Sequence, residues 1–275
     1  MGKTNISWTA SRNPDGSWRE GFSFNPWIGC ARVATGCVNC YAEVIARTRM
    51  KLNVWGPDRP RKLQEPAYWR QPLLWNRKAA EMGIRHKVFC GSMCDVFEDH
   101  RQLSWLRESL WELIEETPSL DWLLLTKRPQ NIARMMPLRW WDKFPRNIWL
   151  GVSASTQKEF DSGWLALSSE CFPFSPSVLF ISLEPLLEPI SLGPVVEKVD
   201  DLDDEEWWAR APDWVIVGAE SGPHRRPFNL PWAESIYEEC QRFGIFYFGK
   251  QASGHRPGVP LLIGGMERKE FPHER

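Results

Sequence analysis

The feature that most restricts the fold of this sequence is a regular alternation of short apolar runs with amphipathic stretches. Apolar residues recur at helical spacing in 102–117, 157–167 and 231–243. Apolar runs of strand length lie between and around these stretches, at 22–27, 86–93, 121–126, 147–153, 177–182, 213–218 and 245–248. Short apolar runs separated by helices are typical of a parallel sheet that is buried on both faces. The sequence therefore predicts an α/β fold, a partial or complete (βα) barrel of about six or seven parallel strands.

A doubly wound open sheet is the alternative fold. The sequence contains neither a G-x-G-x-x-G motif after its first strand nor a Walker motif, which argues against the nucleotide-binding open sheets. A length of 275 residues is usual for one α/β barrel, so we expect 1–275 to form a single domain. Its predicted parts are a lead-in at 1–21, a barrel core at 22–251 with an irregular excursion at 53–77 and an acidic insertion at 194–212, and a C-terminal tail at 252–275.

Charge and composition exclude several functions. A formal net charge of −1 argues against broad, salt-driven binding of duplex nucleic acid. No run of about 18 apolar residues is present, so we expect no membrane span, and the N-terminal residues lack the apolar core of a secretory signal. We therefore expect a cytoplasmic protein. Most of the 17 tryptophans should be buried in the core, because each covers a large apolar area.

Three of the seven cysteines, Cys30, Cys37 and Cys40, are spaced C-x6-C-x2-C directly after the first predicted strand. Such a cluster in a reducing compartment indicates metal binding or catalysis rather than disulfides. Gly29 and Gly36 precede two of the cysteines and let the backbone turn tightly. Three thiolates suit an iron–sulfur cluster or zinc, and they leave a fourth position for water, substrate or a cofactor.

Polar residues follow almost every predicted strand. Because the carboxyl ends of parallel strands meet on one face of a barrel, these side chains should line a common cavity. From this position we predict that the catalytic residues are Cys94, Asp95, Lys127 and Glu220. His224 should also line the cavity, whereas the cysteines at 90, 171 and 240 should be packing residues and the histidine at 86 should lie on the surface.

The cysteine loop resembles the cluster-binding loop of radical S-adenosylmethionine (SAM) enzymes. Over most of its length the chain also resembles a phage-associated three-cysteine-motif family of largely unknown function, with radical-SAM-like architecture. The matching stretches are NPWIGC at 25–30, GCVNCYAE at 36–43, GSMCDVF at 91–97, LTKRP at 125–129, WLGVS at 149–153, SLEPLLEP at 182–189, DWVIVG at 213–218 with ESG at 220–222, and GKQ at 249–251. The resemblance implies an enzyme in which the three cysteines bind a [4Fe–4S] cluster and SAM occupies the open position.

The resemblance also implies roles for residues near the cysteines. Radical SAM enzymes commonly have the spacing C-x3-C-x2-C and a Gly-Gly-Glu after the second strand that holds the SAM amino group. In this sequence the first cysteine gap is longer, and GSMCD at 91–95 stands in place of the Gly-Gly-Glu. Ser92 and Asp95 are the candidates for that task. Ser153 and Glu184 are candidates for ribose or methionine contacts, and Asn39 or Tyr41 for contact with the adenine.

Three functions remain open at the level of sequence. The first is a radical SAM enzyme that acts on a nucleotide or nucleic-acid component and takes electrons from a donor such as flavodoxin or ferredoxin. Lys127-Arg128, Arg225-Arg226 and the Arg- and Trp-rich 55–77 stretch would then bind phosphate and stack a base. The second is a non-radical zinc or iron–sulfur protein with a hydrolase-like or structural role. The third is a phage–host interaction protein on a barrel without catalysis.

Overall fold

The computed structural model describes residues 2–13, 15–171, 174–193, 195–196 and 210–272. Its centre is a seven-stranded parallel sheet, curled into a half-barrel and flanked by helices. In chain order the strands are β1 (Phe22–Phe24), β2 (His86–Cys90), β3 (Leu120–Thr126), β4 (Ile148–Ser153), β5 (Val178–Leu183), β6 (Trp214–Gly218) and β7 (Phe246–Gln251). Each strand pairs in parallel with its sequence neighbour, so the order never reverses as it does in a doubly wound sheet. The prediction of a partial barrel is confirmed.

The longer described helices are α1 (Tyr41–Thr48), α2 (Gln71–Glu81), α3 (Ser104–Glu115), α4 (Gln157–Cys171) and α5 (Leu230–Phe243). Helices α2 to α5 cover the outer, convex face of the sheet, whereas α1 packs against Ile28, Val54 and Met93 at the carboxyl end. Shorter helical turns are Ser7–Thr9, Thr35–Cys37, Pro66–Trp69, Pro129–Asn131, Ile132–Met135 and Arg139–Asp142. Outside the main sheet, three short antiparallel ladders of two residues per strand are described. They pair Ser11–Arg12 with Trp18–Arg19, Trp27–Ile28 with Lys62–Leu63, and Leu262–Ile263 with Met266–Glu267. Within the described residues, no helix combines the length and apolar character needed to cross a bilayer. The predicted acidic insertion lies mostly outside the described residues.

The excursion predicted at 53–77 is not irregular throughout. The turn Pro66–Trp69 and helix α2 occupy its second half, and their prolines sit in the first helical turn, where proline costs no hydrogen bond. Tyr68 stacks on Phe24, with ring centroids 5.0 Å apart, and Trp75 stacks on Phe22 at 4.3 Å. The aromatic residues of this stretch therefore cover the outer face of β1, a contact that its proline and arginine content conceals in the sequence.

The concave face of the sheet is filled by aromatic side chains. Trp149, Phe180, Trp214 and Phe248 point inward from four neighbouring strands, and Trp8 of the N-terminal helical turn packs against them. Nine described tryptophans are buried: Trp8, Trp27, Trp75, Trp111, Trp122, Trp140, Trp149, Trp164 and Trp214. The expectation that most tryptophans serve packing agrees with this core. The aromatic layer forms an apolar floor beneath the carboxyl ends of the strands.

His86 is buried at the start of β2, so its predicted place on the surface is wrong. It packs edge-on against Phe22, and its Nδ1 has no hydrogen-bond partner among the described residues. Burial, followed by the nearby charges of Arg19 and Lys3, lowers the pKa of His86 to about 4.

We expect His86 to make the protein less stable in mild acid. Its pKa is lower in the folded chain than in the unfolded chain, where it is about 6.5, so the unfolded state binds more protons between these values. The free energy of unfolding should therefore fall by about 1–2 kcal/mol as the pH drops from 7 to 5, after allowance for solvent screening. Urea unfolding at both pH values measures this. The His86→Gln variant should lack this part of the dependence, and an unchanged pH dependence in that variant would contradict the assignment.

Candidate functional site

The cysteine loop, residues 29–40, connects the Trp27–Ile28 ladder after β1 to helix α1. Gly29 has a φ of 124°, and a Cβ atom there would lie 2.5 Å from the carbonyl oxygen of Val54. A Cβ atom on Gly36 would lie 2.4 Å from the Oγ of Ser155. Both positions require glycine, the first for its backbone conformation and the second for its close contact with the segment after β4. The loop therefore lies against the carboxyl edge of the sheet.

Arg128 fastens the first half of the cysteine loop to the end of β3. Its Nη2 donates a hydrogen bond to the carbonyl oxygen of Ala31 at 2.8 Å, and its Nη1 lies 3.7 Å from the Sγ of Cys30. Nη1 also bonds to Oδ2 of Asp95 at 2.8 Å. Asp95 in turn accepts hydrogen bonds from the Thr126 hydroxyl and from three backbone or guanidinium groups, so its oxygens are fully engaged. Arg128 and Asp95 are both buried, and together they hold Cys30 in place.

Glu98 and Arg61 extend this buried ionic cluster. Glu98 accepts the backbone N–H of Ala31 at 2.8 Å and forms a two-pronged pair with Arg61, with distances of 2.8 and 2.9 Å. Arg61 also donates to the carbonyl oxygens of Val54, Gly56 and Arg59. The cluster therefore binds the cysteine loop and residues 54–61 to the segment after β2.

A second anchor holds the middle of the cysteine loop to the end of β6. Nη1 of Arg226 donates to the carbonyl oxygen of Thr35 at 3.0 Å, and Arg226 forms a close two-pronged pair with Glu220. Asn39 donates to Glu220 at 3.1 Å and to the carbonyl oxygen of His224 at 2.8 Å. These hydrogen bonds lower the pKa of Glu220 although burial raises it. The loop thus crosses the carboxyl ends of the strands of the half-barrel, from β3 to β6.

A continuous polar layer lies at the carboxyl ends of β3, β4, β5 and β7. Nζ of Lys127 donates to Oγ of Ser153 at 2.5 Å, and this hydroxyl lies 3.4 Å from the carbonyl oxygen of Glu184. The Glu184 carboxylate accepts from Ser182 at 3.3 Å and pairs with Lys250 at 2.8 Å. The layer rests on the aromatic floor, so its charges have apolar surroundings below and the cysteine loop beside them.

The structure brings the predicted site residues to one end of the half-barrel, in different surroundings. Lys127, Ser153 and Glu184 belong to the polar layer, whereas Asp95 and Glu220 are engaged in the two anchors. The hydroxyl of Tyr41 donates to the carbonyl oxygen of Ser92 at 2.8 Å, which joins the start of α1 to the segment after β2. Ser92 exchanges hydrogen bonds with Asn25. Contact of any of these residues with a cofactor stays a prediction.

The thiols have different surroundings. Burial raises the pKa of Cys30 to about 12, with Asp95 adding to the rise and Arg128 opposing it, and burial also raises the pKa of Cys40. Burial raises the pKa of Cys94 well above its usual range, and this thiol lies close enough to Cys30 and Cys90 for their charges to add to the rise. Cys90, Cys171 and Cys240 are buried, as predicted. In the described part of the chain, no group of three or more Cys, His, Asp or Glu side chains is assembled to hold a metal ion.

The sequence did not predict the supporting roles of four residues at the site. Asn25, Arg61 and Glu98 fix the cysteine loop and its neighbours, and Glu159 accepts the backbone N–H groups of Thr35 and Ser155. Only Asn25 carried a local signal, its place just before the cysteine loop. The partners of the others lie far away in the sequence, so their roles depend on the folded chain.

The fold and the site define an α/β half-barrel with a cysteine-bearing loop across the carboxyl ends of its strands. Residues 3–266 match the family described as "Protein of unknown function (DUF5131)". Since the match covers nearly the whole chain, the protein belongs to this family. No curated protein and no solved structure matches the chain.

Proposed function

We propose that this DUF5131 protein is a radical-SAM-like enzyme. In the proposal Cys30, Cys37 and Cys40 bind a [4Fe–4S] cluster, and SAM takes the open position beside it. The observation that carries the proposal is the double anchoring of the cysteine loop, by Arg128 at β3 and by Arg226 at β6, next to a polar layer at the strand ends. A loop held in this way lies at the same edge of the sheet as the charged groups.

The donor set suits a soft metal centre. Three thiols in one loop are the ligands that iron–sulfur clusters and zinc prefer over oxygen-seeking cations. The N–H of Arg128 directed at Cys30 is the type of hydrogen bond that tunes a metal-bound sulfur. Because the thiols are not gathered as a metal-binding group, binding requires at least one of them to move and to lose its proton.

The chain's own residues would orient and enclose the reactants. When bound, the cluster would supply the electron that cleaves SAM. Lys127 is the candidate for holding an anionic group, because among the described residues no carboxylate lies within ion-pair distance of its Nζ, whereas Lys250 is neutralised by Glu184. The aromatic floor would keep water from the lower side of the cavity. Asp95 and Glu220 would act as positioning residues, because their carboxylates hold the arginines that anchor the loop.

A nucleotide or nucleic-acid component is the proposed substrate class, and Lys127 is its proposed phosphate contact. Of the other strand-end cations considered for this role, Arg128 is buried against Asp95 and Arg226 is paired with Glu220. The tryptophans Trp69 and Trp75 pack on β1, Trp75 by stacking on Phe22 and Trp69 edge-to-face with Phe24. The observations thus favour a small nucleotide held at the polar layer over a long strand bound on the surface.

Metal analysis of the purified protein tests the proposal. Purified without oxygen, the chain should be brown and contain about four irons and four sulfides per chain. The Cys30→Ala variant should lose both, whereas Cys171→Ala, which removes a buried thiol on α4, should keep them. After chemical reduction with SAM present, the wild-type protein should release 5′-deoxyadenosine.

The outcomes separate the proposal from its alternatives. A colourless protein with one zinc would end the radical proposal and support the non-radical zinc protein. Iron and sulfide without 5′-deoxyadenosine would support a cluster-binding protein and contradict SAM cleavage. Equal iron in Cys30→Ala and in the wild type would remove the cysteine loop from the metal site.

A further inference from the structure

The outer side of the cysteine loop and helix α1 carries an exposed surface that the half-barrel does not use. Val33, Val38 and Val44 are each more than half exposed. A pocket of about 370 Å³ opens beside Val38 and Val44 and is also lined by Arg32, Cys40, Glu43, Arg47 and Thr48. A second pocket, of about 310 Å³, continues past Arg47 to Lys51, Leu52 and Asn53. We call these exposed residues and the two pockets the α1 surface.

The α1 surface is positively charged although the whole chain has a net charge of −1. The two pockets are lined by the cations Arg32, Arg47 and Lys51 against the single carboxylate of Glu43. Glu43 is buried and holds both flanking arginines, Arg32 at 2.7 Å and Arg47 at 3.4 Å. The two guanidinium groups are therefore fixed beside the exposed valines, and one carboxylate cannot neutralise both.

Cys40 connects this surface with the proposed metal site. It lines the first pocket, while the side chain of the neighbouring Asn39 donates to Glu220 and the loop carbonyl of Thr35 accepts from Arg226. If Cys40 binds the metal, the same residue therefore lies in the lining of this pocket. Weak electron-transfer interfaces bury less area than stable complexes, so a small apolar patch with charged borders is sufficient for one.

We propose that the α1 surface is the docking site of a small acidic one-electron carrier protein. This inference rests on the proposed function, which supplies the redox centre that such a partner would reduce. Carboxylates on the carrier would meet Arg32, Arg47 and Lys51 and steer the encounter, while the valines give the contact its dry centre. A nucleic acid fits less well, since the exposed side chains at the centre are aliphatic and cannot stack on bases.

Titration calorimetry with an oxidised flavodoxin as the probe tests the docking site. The wild-type chain should bind flavodoxin, and added salt should weaken the binding, because the charges are exposed. Val44→Glu and Lys51→Glu should each weaken binding about tenfold or more, since each adds a carboxylate to a surface that meets carboxylates. Leu165→Glu on α4 and Lys78→Glu on α2 make matched changes at other exposed positions and should bind like the wild type.

The iron content of the same variants separates this inference from the proposed function. Unchanged iron with weakened flavodoxin binding in Val44→Glu and Lys51→Glu supports the docking site. Flavodoxin binding that is absent, or equal in all four variants, overturns it whatever the iron content. A chain without iron that still binds flavodoxin at this surface ends the cluster proposal but keeps the docking site. Binding of a single-stranded oligonucleotide at the α1 surface, with no binding of flavodoxin, would also overturn the inference.

Discussion

Replacement of Arg128 by methionine should lower the free energy of unfolding by about 3–5 kcal/mol, because it leaves the buried carboxylate of Asp95 without its cationic partner, whereas Glu98 keeps Arg61. The carboxylates of Asp95 and Glu98 lie 2.8 and 3.6 Å from Arg128, and both side chains are more than nine-tenths buried. Methionine fills much of the space but supplies no positive charge and no N–H group. Urea unfolding of the wild-type and Arg128→Met chains measures the loss.

Three further variants identify the cause. Arg128→Lys keeps the charge but loses the planar fork that reaches Asp95 and Ala31 together, so it should recover only part of the loss. Adding Asp95→Asn to Arg128→Met should cost less than the sum of the two single changes, because the second removes the charge that the first has stranded. Arg134→Met breaks an exposed pair with Asp99 and should cost at most about 1 kcal/mol. A cost for Arg128→Met as small as that of Arg134→Met would show that the buried cluster does not hold the cysteine loop.

The cysteine loop shows which parts of the site a sequence can predict. The position of the cysteines after β1, and the polar residues after the later strands, follow from local patterns because topology brings all carboxyl ends to one edge. The need for glycine at Gly29 and Gly36 was also visible, although the close neighbours, Val54 and Ser155, were not. Local pattern therefore predicts where the site lies.

What local pattern did not predict is which charges pair with which. Asp95 and Glu220 follow strands, as catalytic carboxylates do in barrels, yet their oxygens are engaged by Arg128 and Arg226. Arg61 lies in a basic stretch that suggested a nucleic-acid surface, but it is buried against Glu98, 37 residues further along the chain. Such pairings depend on distances in the folded chain, and no spacing in the sequence encodes them.

Replacement of Trp214 by alanine should have the second large effect, a loss of about 3–5 kcal/mol in the free energy of unfolding. Trp214 is fully buried at the start of β6, and its Nε1 donates to the carbonyl oxygen of Glu270 at 2.9 Å. Its ring meets Trp149 and Phe248 edge-on, with centroids 6.0 and 5.9 Å apart. Alanine would remove these contacts and leave a cavity in the floor that the polar layer rests on.

The damage from Trp214→Ala should reach the site as well as the fold, because β6 also carries the anchor of the cysteine loop. Gly218, at the end of the strand, has room for only a hydrogen atom beside Glu184, since a Cβ there would lie 2.5 Å from Oε1. A shift of β6 into the cavity would therefore disturb Glu184 and, two residues past the strand, Glu220 with Arg226.

Two control variants accompany this change. Trp214→Phe keeps a ring in the floor and should lose about half as much stability as Trp214→Ala. Trp105→Ala, at a side chain 60% exposed on α3, should change the free energy of unfolding by no more than about 0.5 kcal/mol. Urea unfolding, with limited proteolysis at the cysteine loop as a second readout, measures both effects, and faster cleavage of the loop in Trp214→Ala is expected. Full stability or an unchanged cleavage rate in that variant would show that the loop does not depend on the aromatic floor.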